Sequence, residues 1–239
     1  MSSRLPFISV IIPTYNEEKY IEHTLKAIKS QDYSGKYEIV VSDGTSKDGT
    51  VKIARKYADE VVEVKKRGIS VGRNAGAKVA SGDILLFVDA DTVLLFNCLT
   101  EFAKTFKVKS VVGATCPIAP TSSRAVDFML YWMANQFVKS SIKTGVPQLF
   151  GICCAYRQSA FESVGGFDEK LHTHEDIDLS QRMAKLGKIV FVESTLALTS
   201  PRRFEAWGRT KGAGKYVAYY LNYLLTGKGV GRNRYRAIR

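Results

Sequence analysis

The chain is poor in cysteine: four in 239 residues, none of them in a CxxC pair. That leaves little from which to build a disulfide framework or a structural zinc site, and thiols used so sparingly fit a reducing, cytosolic setting. Neighbours Cys153 and Cys154 would point to opposite faces of any strand. No internal repeat and no low-complexity block interrupts a globular composition, 45% apolar and 24% charged. The opening MSSRLPFISVIIP has no apolar h-region or cleavage site, so it does not read as a signal peptide. The apolar, aromatic stretch from Tyr216 to Leu225 falls well short of the ~20 residues that cross a bilayer. Glycine is missing from PTYNEE (13–18), which follows the first expected strand. Without it there is no G-x-G-x-x-G for a dinucleotide-dependent oxidoreductase, and no glycine-rich loop of the kind a sugar nucleotidyltransferase needs.

Charge is abundant but unevenly placed. Of a formal net charge of +12, residues 202–239 hold ten Lys/Arg against one acid, so the first two hundred residues are nearly neutral. The basic, aromatic end is either a solvated tail, an amphipathic helix packed on the rest, or a segment lying on an anionic membrane with tyrosines at the interface. Nucleic acid is not expected, because no reader motif accompanies the charge.

The pattern along the chain predicts an α/β domain over 1–200 followed by a separate basic segment, 201–239. Buried strands are expected at Ile8–Ile12 and Ile84–Val88 and further strands at Ile39–Val41 and Val61–Val64, with helices between them. Asn16 reads as the N-cap of the first helix, with Glu17 and Glu18 in its first turn. Asp48 reads as the cap of the second helix, expected over Val51–Ala58, and Arg73 and Asn74 as residues opening the third, expected over Gly72–Ala80. Further on, helices are expected over Leu99–Phe106, Ala125–Ile142 and Ile177–Leu186, and strands over Val111–Thr115, Leu149–Tyr156 and Ile189–Val192. The large apolar groups of 125–142 read chiefly as core, with a second membrane-facing surface as the alternative. Near-continuous apolar strands alternating with helices imply a mainly parallel sheet covered on both faces. Ligands of such sheets bind outside the C-terminal strand ends, which here carry Thr14-Tyr15-Asn16-Glu17, Asp43 and Asp89-Ala90-Asp91.

Asp89 and Asp91 are the sharpest feature. On an extended backbone two acids separated by one residue point to the same side, and two like charges so close cost energy unless a cation sits between them; the plain alternative is a solvated loop. Hard oxygen ligands suit Mg²⁺ or Mn²⁺, ions that take few protein carboxylates and complete their shell with water and phosphate. Asp43 is suited to accept an N–H from a uracil or guanine edge, or to make a plain Asx-turn. Arg73 is either a phosphate ligand at a helix N-terminus or a surface ion pair. Arg202 and Arg203 are candidates to hold a diphosphate. His172 and His174 have no partners at zinc-like spacing and read as structural, or as supports behind the site residues, and not as metal ligands.

Several segments, in order, resemble the family 2 glycosyltransferases with the GT-A fold. VIIPTYNEE (10–18) looks like the family's opening strand and loop, and DGTSKDGT (43–50) is similar to its D-x-x-S-x-D-x-T segment. GRNAGAKVASGDILLFVDADT (72–92) resembles the R-N-x-G-x-x-x-A-x-G-D stretch that runs into DxD, while GGFDE (165–169) and HEDIDLSQR (174–182) look like acceptor-side motifs. The resemblance spans residues 8 to about 200. It implies an inverting transferase that moves a sugar from a nucleotide-diphosphate sugar, UDP by default, to a glycan or polyprenyl-lipid acceptor. Donor contacts would come from Pro13, Thr14, Tyr15, Glu17, Asp43, Arg73, Asn74, Asp89, Ala90 and Asp91. Asp91, with help from Asp89, would hold Mn²⁺ or Mg²⁺, and Asp176 would be the general base, with Glu175 as the alternative. Position 44 departs from the pattern, being Gly where the family often has a second acid. The expected location is the cytoplasmic face of a membrane. The competing reading is a non-catalytic nucleotide-sugar-binding or scaffold module on the same fold.

Overall fold

The computed structural model describes residues 4–231 and Ile238. In chain order its elements are β1 (Ile8–Thr14), α1 (Ile21–Lys29), β2 (Tyr37–Asp43), α2 (Thr50–Ala54), β3 (Glu60–Glu63), α3 (Ile69–Val79), β4 (Ile84–Val88), β5 (Thr92–Leu94), α4 (Cys98–Phe106), β6 (Val111–Thr115) and β7 (Ile118–Pro120). Then come α5 (Ala125–Lys143), β8 (Cys153–Arg157), α6 (Gln158–Ser163), α7 (Glu175–Ala184), β9 (Lys188–Phe191), β10 (Ala197–Thr199), α8 (Arg202–Trp207) and α9 (Arg209–Thr226).

Seven strands form one sheet in the order β3-β2-β1-β4-β8-β6-β9, and β5-β10-β7 make a small second sheet. Within the large sheet β3, β2, β1 and β4 run parallel, β8 runs antiparallel to both of its neighbours, and β9 is parallel to β6. Every residue of β1 and β4 is buried, so side chains of one strand feed cores on both faces. Ile8, Val10 and Ile12 enter one apolar cluster and Ile11 the other, and Cys153 and Cys154 divide in the same way. Each such aliphatic side chain contributes about 1.5–3 kcal/mol by leaving water. Helix α3 approaches this layer closely because residue 76 is Gly: a Cβ there would stand 2.5 Å from Ile11 Cγ2.

Several expectations need correction. Helix α1 starts at Ile21, and Asn16 is not its cap but sits in the left-handed region at φ 54°, a conformation Asn tolerates. The 15–20 loop is instead stitched to the 44–50 segment. The Asn16 N–H donates to Ser46 Oγ, its Oδ1 accepts from the Lys47 N–H, and the Gly49 N–H donates to Glu18. Those tertiary bonds satisfy the groups that a helical first turn would have used, so Glu17 and Glu18 lie outside the helix. Helix α2 is shorter than expected, with Asp48 accepting from the Thr50 N–H. Helix α3 begins at Ile69, which places Arg73 and Asn74 in its interior. Residues 149–152 form a turn ahead of β8 instead of a strand. Helix α5 is not a core helix: it buries Asp127, Tyr131, Val138 and Ser141, and leaves Phe128, Met129, Trp132 and Met133 exposed.

From Pro201 the chain folds back on the domain through α8 and α9. Arg232, Arg234, Arg236 and Arg239, part of the expected basic tail, lie outside the described residues. Among the described residues no helix is long and apolar enough to cross a membrane.

Candidate active site

The candidate residues gather where β1, β2 and β4 end. Asp43, the last residue of β2, is buried, and its carboxylate accepts from Thr14 Oγ1 at 2.9 Å, Ser46 Oγ at 2.6 Å and the Ser46 N–H at 2.8 Å. The turn geometry is therefore realised, in a position inside the fold. A carboxylate has about four acceptor positions, so one direction remains. Tyr15 lies beside it, its ring covered by the Arg67 guanidinium at 4.7 Å.

After β4 the backbone does not stay extended. The Thr92 N–H donates to the Asp89 carbonyl at 3.1 Å, closing a tight turn, and Ala90 is buried with its carbonyl accepting from Thr24 Oγ1. The two acids consequently pair with different arginines. Asp89 meets Arg73 Nη2 at 3.0 Å, and Asp91 meets Arg202 Nε at 2.8 Å. The other nitrogens of Arg202 close on both oxygens of Glu17, at 2.7 and 3.1 Å. Burial pushes the Asp91 carboxyl up to about 6 against the pull of Arg202, with Asp89 and Glu17 adding to the rise.

Arg73 is no surface residue. Only 2% exposed, it reaches Asp89, Glu175 Oε1 at 2.8 Å and the Gly151 carbonyl at 2.9 Å. A planar fork of donors suits this three-way contact and a lysine would not. Its neighbour Asn74 clamps the loop before α7: Nδ2 donates to the Phe167 carbonyl and Oδ1 accepts from the Phe167 N–H, both at 2.9 Å. Neither side chain sits at a helix N-terminus. Arg73 joins carboxylates from two parts of the chain, and Asn74 holds a loop in place.

Glu175 and Asp176 open α7, where the helix dipole favours acids. Their surroundings differ. Glu175 is buried against Arg73, and burial, with the charge of Asp176, pushes its carboxyl up to about 7. Asp176 is partly exposed and accepts the Gly151 N–H at 2.6 Å and the Ile177 N–H at 2.9 Å. Gly151 thus contacts both Arg73 and Asp176 through its backbone, a role that leaves no mark in the sequence. His174 stacks on Tyr223 of α9, with centroids 5.2 Å apart and planes at 10°, consistent with a structural part.

Among the described residues no group of three or more His, Cys, Asp or Glu could hold a metal by itself. Two carboxylates still fit Mg²⁺ or Mn²⁺, which take one or two from protein and the rest from water and phosphate. Four acids, Glu17, Asp89, Asp91 and Glu175, share the two arginines Arg73 and Arg202.

Residues 9–165 match the family model described as glycosyl transferase family 2. The glycosyltransferase AglE of Haloferax volcanii is 32% identical over 219 residues, covering 85% of this chain and 70% of the relative. The poly(ribitol-phosphate) beta-N-acetylglucosaminyltransferase TarS of Staphylococcus aureus is 40% identical over 102 residues, 40% of this chain but only 18% of the relative. Among solved structures, the mannosyltransferase PcManGT of Pyrobaculum calidifontis, in complex with GDP-Man and Mn²⁺, superposes with a TM-score of 0.71 at 25% identity, covering 95% of this chain and 67% of that one. TarS 1-349 in complex with UDP-GlcNAc gives 0.65 at 25% identity, covering 80% of this chain and 58% of that one.

Proposed function

We propose that this chain, which belongs to glycosyl transferase family 2, moves a sugar from a nucleotide-diphosphate sugar to an acceptor hydroxyl with inversion at the anomeric carbon. The carrying observation is the pair of arginine-centred clusters at the strand ends: Arg202 with Asp91 and Glu17, and Arg73 with Asp89 and Glu175. Such clusters are suited to a ligand that brings several negative charges together with a cation.

In this reading Asp43 receives an N–H from the base through its remaining acceptor direction, with Thr14 and Ser46 holding it in place. Pro13 ends the apolar part of β1, and Tyr15 and Ala90 shape the wall beside the donor. UDP is the favoured nucleotide. Asp91, with Asp89, holds Mn²⁺ or Mg²⁺, and the ion when bound stabilises charge growing on the leaving diphosphate. Arg202 moves from carboxylate to phosphate, a partner that its guanidinium also binds in bidentate fashion. Asp176 takes the proton of the acceptor hydroxyl. It is preferred over Glu175 because it is partly exposed and held by backbone N–H groups alone, while Glu175 is buried against Arg73. The acceptor is a lipid-linked or cell-surface glycan, or a polyprenyl lipid, reached from the cytoplasmic face of an anionic membrane. No nucleic-acid partner is invoked.

The test is calorimetric titration with UDP, GDP, CDP and their common sugar conjugates, with and without Mn²⁺. Metal-dependent binding of one nucleotide class is the expected result and names the donor class. Binding by none would leave a fold without the chemistry and favour the scaffold reading.

A further inference from the structure

Helices α5 and α9 lie side by side, joined by an edge-to-face contact of Phe137 and Tyr220 with centroids 5.6 Å apart. On α9 the tyrosines turn inward. Tyr216 packs on Phe204 and Trp207, and Tyr220 and Tyr223 pack on His174. The leucines turn outward: Leu221, Leu224 and Leu225 are 51%, 55% and 86% exposed. This is the reverse of what water selects, since the ring with a polar tip is the one that tolerates solvent. Helix α5 repeats the arrangement. Met129, Trp132 and Met133, spaced three and four apart on one stripe, are 53%, 62% and 44% exposed. Two adjacent helices therefore present apolar side chains outward, more than scattered surface residues account for.

The charge around this face indicates what covers it. Lys143 ends α5, while Lys211 and Lys215 lie on the exposed part of α9 and Lys228 follows it. Helix α9 itself carries no acid along its length. Two copies of so basic a surface repel one another, whereas anionic headgroups attract it. We propose that the outward face shared by α5 and α9 docks on an anionic lipid bilayer, lying in the headgroup layer with Trp132 and the leucines inserted. The docking is a property of two folded helices. Its consequence for the acceptor rests on the transfer reading. The inner side of α9 is stacked on His174, next to Glu175 and Asp176, and the Val230 N–H donates to Thr173 Oγ1 at 2.8 Å. A docked α9 would hold the acceptor side of the site close to the bilayer, within reach of a lipid-borne hydroxyl.

The chain has two tryptophans, so Trp207→Phe leaves Trp132 as the sole reporter. The full chain is mixed with vesicles of phosphatidylcholine alone or with phosphatidylglycerol, and emission and co-sedimentation are read together. The expected result is a blue shift and sedimentation with the anionic vesicles, weakened by salt. The triple change Met129→Ser, Trp132→Ser, Met133→Ser in the otherwise unchanged chain should lower binding at least about tenfold, with an unchanged circular dichroism spectrum. Sedimentation without a Trp132 shift, or unaffected by the triple change, would assign binding to basic residues alone and overturn the proposal. So would a stable dimer in solution that ignores vesicles, which would make a second copy the occupant. None of these readouts uses a donor, so they succeed or fail independently of the nucleotide titration.

Discussion

Arg202 places its Nε 2.8 Å from Asp91 and its terminal nitrogens 2.7 and 3.1 Å from Glu17. One guanidinium, from the helix that follows the last strand, neutralises the turn after β4 and the loop after β1 together. All three side chains are largely buried, Arg202 at 13%, Asp91 at 8% and Glu17 at 4% exposure. Removing the cation leaves two acids uncompensated, a loss of ~3 kcal/mol. Arg202→Gln should lower the melting temperature of the free protein, and Mn²⁺ should restore more of it than the ion adds to the natural chain. Thermal unfolding with and without Mn²⁺ measures both; equal responses would show that Arg202 and the ion do not share a site.

Asp91→Asn keeps the shape of the turn and removes the charge. The Mn²⁺-dependent part of donor affinity should fall by at least tenfold, about 1.4 kcal/mol, while the fold persists, since Arg202 retains Glu17. Calorimetry with the best nucleotide, with and without the ion, decides it. Unchanged affinity in Mn²⁺ would remove Asp91 from the ion.

Asp176→Asn should preserve donor affinity and reduce turnover by roughly 10²–10⁴, the range for loss of a general base. The amide oxygen can still accept the Gly151 N–H while the Ile177 N–H, held by the other carboxylate oxygen, loses its acceptor; retained donor affinity then shows that the loss is chemical. Near-normal turnover would move the base to Glu175.

Glu175 titrates at about 7, above its ordinary 4.5, because it is buried. The folded state therefore binds its proton more tightly than the unfolded chain does. The stabilisation this gives is fully present below pH 4.5, declines between pH 4.5 and 7 and is absent above. Burial pushes the His174 ring down, which acts in the opposite sense. Glu175→Gln retains His174 and removes only the glutamate's slope. The melting temperature of the variant minus that of the natural chain should rise as pH increases from 5 to 7.5, by ~2–4 °C for each kcal/mol. A flat difference would mean that Glu175 is ionised throughout.

Much of this was legible in advance. β4 and β6 fall where their apolar runs place them, and Asp43, Asp89 and Asp91 stand at the strand ends where ligands of such sheets bind. What could not be read depended on contacts between distant segments. Asn16 has the chemistry of a cap, but the 44–50 segment satisfies its loop. Arg73 looks like any arginine on a helix until the turn at Gly151 and the start of α7 enclose it. The apolar groups of α5 have helical spacing, which says that they share faces and not whether a face meets the sheet or looks outward.

Arg73 touches Asp89 at the end of β4 and Glu175 at the start of α7 with nitrogens of one rigid, buried plane. Acids from the end of β4 and the start of α7 thus compete for a single positive charge that cannot be shed. Weakening one contact strengthens the hold on the other, so a change of charge beside Asp89 is felt at the start of α7. Substitutions at Asp89 and Glu175 will consequently not add, and their coupling energy measures how tightly the two acids are linked through Arg73.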